Sequence, residues 1–213
     1  MRCIVTAGPS YELLDKVRRM TNFSTGRLGT ELAKFLEGRG HEVKLLLGEQ
    51  ATFREAANAE IFTTSSDLRE RLGNLANDAV KAVFHAAAVS DFGFGKVWSR
   101  TAEGELREVK SGKFSTREGT LLVELVPTPK VISELRDWYP AARLVGWKYE
   151  VDGTREDALR EAEKQLAESL TDACVVNGPA YGEGFGLVQG KYEFKHLADK
   201  AALFEVLEKF VSG

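Results

Sequence analysis

The chain has 213 residues, 43% of them hydrophobic and 29% charged, with a formal net charge of −3. These proportions suit one α/β domain with a sizeable core, and they argue against a sequence-independent nucleic-acid binder, which would carry a basic balance. No apolar run reaches the roughly 20 residues of a membrane span. The opening Met1-Arg2-Cys3-Ile4-Val5 reads as strand rather than leader, and Cys3 and Cys174 lie in apolar runs as core thiols, so a cytoplasmic protein is expected.

Residues 2–6 form an apolar strand that runs into Gly8-Pro9-Ser10. A second small-residue loop, Ser24-Thr25-Gly26, precedes a helix predicted over 27–38, with Leu28, Leu32, Phe35 and Leu36 at helical spacing and Gly38-Arg39-Gly40 as its stop. Strands are predicted at 42–47 and 59–62, a helix at 67–79, and a strand at 82–87 without charge on either face. Residues 91–120 break the pattern with five glycines among charges. They predict a structureless arm or lid.

Leu121 to Val126 is a further strand, ended by Pro127-Thr128-Pro129, and a short helix is expected at 130–138. A strand at 144–147 precedes a helix from Thr154 to Leu170, with Thr154 as N-cap and Asp157 as its third residue. A buried strand at 173–176, a hairpin and a helix over 197–210 complete the chain. Strands alternating with helices predict a mainly parallel sheet with helices on both faces, in one domain spanning 1–213 with an arm at about 92–120.

A helix start stripped of bulk offers free N–H groups and the positive end of its dipole to an anion, which points Gly8, Ser10, Ser24, Thr25 and Gly26 at phosphate. The same residues also serve as ordinary turn and cap. Ala86-Ala87-Ala88-Val89-Ser90-Asp91 is a second small-residue strand end, where a flat ring could lie and Asp91 accept from an amino or hydroxyl group; tight helix–sheet packing fits it equally. None of His41, His85 and His196 has a partner at ligand spacing, so no metal site is expected, and His85 reads as a satisfied core histidine. Lys110 and Lys113 could meet developing negative charge.

Taken together, Ala7-Gly8-Pro9-Ser10, Asp15-Lys16-Val17-Arg18 and Asn22-Phe23-Ser24-Thr25-Gly26-Arg27-Leu28-Gly29 resemble the opening motifs of the phosphopantothenoylcysteine synthetase family. Ala86 to Asp91, Val123 to Pro129, Val145 to Glu150 and Asp172 to Asn177 are similar to its later motifs, in the same order. The resemblance implies a Rossmann-like three-layer fold with a protruding arm. It implies a ligase of coenzyme A biosynthesis that uses CTP or ATP with Mg²⁺ and no flavin. Such a ligase converts 4′-phosphopantothenate to an acyl-nucleotide and then transfers the acyl group to cysteine. It implies Asn22 and Arg18 in the second step, Lys113 in activation, Ala88, Asp91 and Trp147 at the base, and Ser24, Thr25 and Gly26 at the phosphates. A homodimer is expected, with Trp98, Leu106, Val109 and Phe114 of the arm packing on the partner, and no nucleic-acid or membrane partner.

The chain departs from the family at Lys113-Phe114-Ser115-Thr116, where the family has a cluster of lysines, and at Pro9, which lacks an N–H. Further phosphate-contacting lysines of the family fall at Gln165, Glu168 and Ser169, with Lys96, Lys110 and Lys148 as substitutes. These departures keep open a second function, a nucleotide-binding or regulatory module that has lost the chemistry.

Overall fold

The computed structural model describes residues 1–77 and 79–212. In chain order the elements are β1 (Arg2–Ala7), β2 (Tyr11–Leu13), β3 (Arg19–Thr21), α1 (Arg27–Gly38), β4 (Glu42–Gly48), β5 (Glu60–Phe62), α2 (Ser65–Asn74), β6 (Val80–His85), β7 (Phe92–Arg100), β8 (Leu106–Glu108), β9 (Thr120–Pro127), α3 (Val131–Trp138), β10 (Arg143–Tyr149), α4 (Arg155–Ser169), β11 (Ala173–Asn177), β12 (Phe185–Gly190), β13 (Glu193–Leu197) and α5 (Lys200–Ser212). Among the described residues no helix is long and apolar enough to cross a membrane.

An eight-stranded sheet runs in the order β13-β12-β11-β10-β6-β1-β4-β5. The strands from β5 to β11 are parallel, and β12 and β13 add an antiparallel edge. The chain builds outwards from β1 through β4 and β5, then returns to the other side of β1 with β6, β10 and β11. The reversal between β1 and β6 makes a topological switch point, where open α/β sheets hold ligands at their carboxyl ends.

Strand alternation sorts the core. Cys3, Val5, Ala7, Ala82, Phe84, Val145 and Val175 face Leu32 and Leu36 of α1 and Leu203 and Leu207 of α5. On the other face Ile4, Leu46, Val83 and Leu144 meet Leu68 and Leu72 of α2 and Val131 and Leu135 of α3. α4 covers Cys174 and Val176 through Ala158 and Ala162. This is the Rossmann-like three-layer arrangement.

The segment expected to be structureless is not so: β7, β8 and β9 form an antiparallel sheet of their own, so the arm is a β-sheet. Gly93 and Gly95, together with a register shift between Phe94 and Val97, hid its longest strand from a periodicity reading. A second small sheet, the antiparallel β2–β3 ribbon, is inserted between the two small-residue loops. α2 starts earlier than expected, at Ser65 behind a Thr64 cap, and ends at Asn74 rather than 79. Leu197 closes β13 instead of opening α5.

Candidate functional site

The carboxyl ends of β1 and β6 are stitched together beyond the strands. Pro9 and Ala88 form a parallel bridge. Gly8 O accepts from Ala88 N at 2.9 Å, and Ser10 N donates to Ala88 O at 3.1 Å. Such a bridge asks nothing of an N–H at Pro9, so the proline is tolerated there.

Gly8 and Gly26 both adopt left-handed φ of 78°. A Cβ built on Gly26 would sit 3.3 Å from Gly8 Cα and 3.0 Å from Ala51 Cβ, so the two predicted loops pack on each other. A Cβ at Gly29 would lie 2.6 Å from that of Ala7, which seats α1 directly on β1. These three glycines make the sharp turn, the loop contact and the helix–strand contact of a dinucleotide-type fingerprint, here interrupted by the β2–β3 ribbon.

The helix starts differ in a telling way. α4 closes its own start with a capping box between Thr154 and Asp157. α2 uses the Thr64 hydroxyl, and Glu12 from the ribbon accepts from Ser65 N at 3.0 Å. α1 begins on Gly26, next to Ser24 and Thr25, with no cap from Gly26 itself, while Thr25 Oγ1 accepts from Arg27 N at 3.3 Å, and α3 likewise starts on Lys130 without a side-chain cap. The α1 amides beyond Arg27, with no side-chain partner at Gly26, can still meet an anion from outside the chain.

Next to it lies a shelf. Thr6 pairs with His85 on β6, and His85 with Gly146 on β10. The following residues, Ala7, Ala86 and Trp147, thus line up across three strands on the α1–α5 side. Ala7 is covered by α1, but Ala86 and the indole beside it are only partly buried and leave room for a flat ring. Trp147 is half-buried, and its Nε1 has no hydrogen-bond partner among the described residues.

On the reverse face Thr6 Oγ1 meets His85 Nδ1 at 3.0 Å and accepts from Ala87 N at 3.1 Å. Burial lowers the His85 pKa to about 4, so the ring is neutral at physiological pH and ties the strand end together, as a core histidine should.

Hydroxyls finish the floor. Ser10 Oγ donates to Ser90 Oγ at 3.1 Å and accepts from Ser90 N at 2.8 Å. Thr21 Oγ1 donates to Ser10 O at 2.8 Å, and Thr128 N to Asp91 O at 2.9 Å. Asn22, at the end of the ribbon, donates from Nδ2 to Ala88 O at 3.1 Å. Gly8, Ser10, Asn22 and Ala88 are thus in one hydrogen-bonded knot, with Asp91 exposed at its edge.

Arg18 and Lys113 belong to a second knot, between the ribbon turn and the arm. Arg18 pairs with Asp15 at 2.8 Å and donates to Phe114 O at 2.6 Å. Its guanidinium thus holds the arm with part of its surface, while the side chain remains 46% exposed. Phe114, expected to seek a partner subunit, is only 8% exposed and packs within its own chain, while Leu106 is exposed. Lys113 itself is exposed.

The substitute cations are partly committed: Lys148 pairs with Glu150 at 3.1 Å and Lys110 with Glu108 at 3.8 Å. Gln165 and Ser169 do not look into the crevice. Gln165 lies over Gly146 and donates to Cys174 Sγ at 3.2 Å, and Ser169 is buried near the amino ends of the strands. The ribbon is the functional element that a periodicity reading missed. Its signal was the Asx-type turn at Asp15.

The sequence matches the family described as the DNA/pantothenate metabolism flavoprotein C-terminal domain over residues 1–209. It is 33% identical over 177 residues to the coenzyme A biosynthesis bifunctional protein CoaBC of Thermococcus kodakarensis, covering 83% of this chain and 41% of that protein. The chain spans less than half the length of the curated relatives it matches. Among solved structures, the DNA/pantothenate metabolism flavoprotein of Streptococcus pneumoniae superposes with a TM-score of 0.81 at 24% identity, covering 100% of this chain and 98% of the other. A Cab2 variant in complex with phosphopantothenate-cysteine gives 0.70 at 18% identity, over 99% and 85% of the two chains.

Proposed function

Because this chain belongs to the family of DNA/pantothenate metabolism flavoprotein C-terminal domains, we propose that it is a phosphopantothenate–cysteine ligase of coenzyme A biosynthesis. The observation that carries this reading is the convergence of Gly8, Ser10, Asn22 and Ala88 with the Gly26 start of α1 at the switch point. A nucleoside triphosphate, CTP or ATP, lies with its base on the Ala86–Trp147 shelf. Ala88 and Asp91 offer backbone and carboxylate groups to its edge. Its phosphates meet Ser24, Thr25 and the Gly26 amide end of α1.

In the first step a carboxylate oxygen of 4′-phosphopantothenate attacks the α-phosphorus. A phosphorus–oxygen bond forms, the bond to pyrophosphate breaks, and pyrophosphate leaves. Lys113 places an ammonium where charge grows. In the second step the amine of cysteine attacks the acyl carbon. The carbon–nitrogen bond forms, the nucleoside monophosphate leaves with its oxygen, and the amine loses a proton. Asn22, oriented by its bond to Ala88 O, handles this intermediate, and Arg18 acts in the same step.

Mg²⁺ is implied with the triphosphate. Among the described residues no three His, Cys, Asp or Glu side chains gather as a cage, so the ion would enter on the phosphate oxygens. The ligase reading needs no flavin on this chain. We take residues 1–213 as one cytoplasmic domain that binds no nucleic acid. We further take it as a homodimer, supported by exposed Leu13, Val17, Met20 and Phe23 on or beside the ribbon and Leu106 and Leu125 on the arm.

The test is pyrophosphate release with 4′-phosphopantothenate and CTP or ATP, with and without cysteine. Release that depends on phosphopantothenate, with product formed only when cysteine is present, supports the ligase. Nucleotide binding without any release would favour the diverged binding module instead.

A further inference from the structure

We propose that Asp15 is a positioning residue that fixes the backbone of Lys113 for the activation step, an inference that rests on the ligase reading above. Lys113 lies exposed in the loop between β8 and β9, in a segment rich in glycine and outside the core clusters of the main sheet. Such a residue should wander. Its neighbours on both sides are nevertheless pinned by the ribbon turn. Lys16 N donates to Gly112 O at 3.0 Å. Phe114 N donates to Asp15 Oδ2 at 3.2 Å, and Phe114 O accepts from the Arg18 guanidinium at 2.6 Å. Lys113 closes on Ser111: its N donates to Ser111 Oγ at 3.3 Å, and its O accepts from that hydroxyl at 2.8 Å. Among the described residues, what stays free is the exposed side chain.

Asp15 is the centre of this clasp, and its two oxygens divide the work. Oδ1 accepts from Val17 N at 2.9 Å and Arg18 N at 2.7 Å, which makes the local turn. Oδ2 accepts from Arg18 Nε at 3.0 Å and from Phe114 N, which joins that turn to the arm. The carboxylate side chain has 0% of its surface open to solvent. Burial pushes its pKa up, but the amides of Val17, Phe114 and Arg18 and the Arg18 charge outweigh that and hold it below the usual value. Lys16 lies so close to Gly112 that a Cβ there would be 3.2 Å from its side-chain carbons, so the glycine lets the two segments meet. The ribbon that provides Asp15 also ends in Asn22. One rigid insertion therefore sets the positions of both residues assigned to the chemistry.

The test separates positioning from general damage by a double-mutant cycle. Asp15→Asn removes the charge and turns one of the two acceptor oxygens into an NH₂ donor, so the side chain can serve only one half of the clasp. Asp15→Ser is the second variant: its short hydroxyl still serves the local turn but cannot reach Phe114, so the ribbon keeps its shape. Each variant is measured alone and with Lys113→Gln, by pre-steady-state pyrophosphate release. The single Asp15 variants should slow release about tenfold to a hundredfold, as expected when a catalytic group is misplaced. KM for phosphopantothenate should be unchanged. In the Lys113→Gln background the same changes should have no further effect. Hydrogen exchange at the Phe114 amide should quicken in the Asp15→Ser variant. Additive effects in the double variants, or undiminished release with Asp15→Ser, would overturn the proposal. A wild-type protein that releases no pyrophosphate with either triphosphate would overturn the ligase reading and the proposal with it, while the exchange rate at Phe114 would still report whether the clasp exists.

Discussion

The parallel sheet and the ribbon–arm pair are held together by different forces. In the sheet, β1 and β6 are buried on both sides, and their residues gain stability by removing apolar surface from water. The ribbon and arm bury little: Leu13, Val17 and Met20 are exposed, and Phe23 is 105% exposed. Polar contacts of defined geometry hold them instead, through Glu12 to α2, Thr21 to Ser10, and Asp15 and Arg18 to Phe114. Packing makes the place where a nucleotide can lie, and hydrogen bonding sets the groups that act on it. Changes in the first region should therefore appear mainly as lost stability, and changes in the second mainly as lost rate.

The largest effect should come from the weakly packed region. Lys113→Gln should lower pyrophosphate release by about 10²–10³, comparable to losing one preorganised donor, and leave the urea midpoint almost unmoved because the side chain is exposed. An unchanged rate would make Lys113 a solvated lysine and shift the role to Lys110 or Lys148.

The core should respond to pH. His85 titrates near 4 when folded and near 6.5 when unfolded, so below pH 6.5 the unfolded chain takes up the proton first. Stability should fall between about pH 6.5 and 4, by about 3 kcal/mol in total, and be flat on this account above that range. Urea titrations across pH 7 to 4.5 should show a shallower loss for His85→Gln than for the wild type, and parallel losses would assign the effect elsewhere.

Gly29→Ala sharpens the contrast within one helix. Its new Cβ would lie 2.6 Å from Ala7 Cβ, and overpacking of this kind costs about 1–3 kcal/mol. Gly38, at the other end of α1, meets nothing within 4 Å, so Gly38→Ala should be neutral or stabilise by about 0.5–1 kcal/mol. Equal effects would deny that α1 is seated on β1 by the glycine. Thr154→Ala, which removes half of the α4 capping box, should cost about 1 kcal/mol with no loss of rate.

The two regions also differ in how legible they are in the sequence. α1 was readable to the residue, because Leu32 and Leu36 keep helical spacing and a glycine stop follows. The capping box of α4 could be read from Thr154 and Asp157 alone. Gly8, Gly26 and Gly29 could be singled out, though not that the first two touch. The arm could not be read, because β7 carries glycines, shifts register and pairs with a strand more than twenty residues away. The ribbon strands are three residues each, too short for any period to appear. That Arg18 grips Phe114 across 96 positions is a tertiary fact with no local signature.

The most direct measurement is a single turnover of Asn22→Ala with 4′-phosphopantothenate, CTP or ATP, and cysteine. Asn22 is exposed and its side chain donates to Ala88 O, so the fold and the activation step should survive its loss. The variant should release one equivalent of pyrophosphate per active site and leave an acyl-nucleotide that persists in the presence of cysteine. Turnover of cysteine at the wild-type rate would contradict the assignment of Asn22 to the second step.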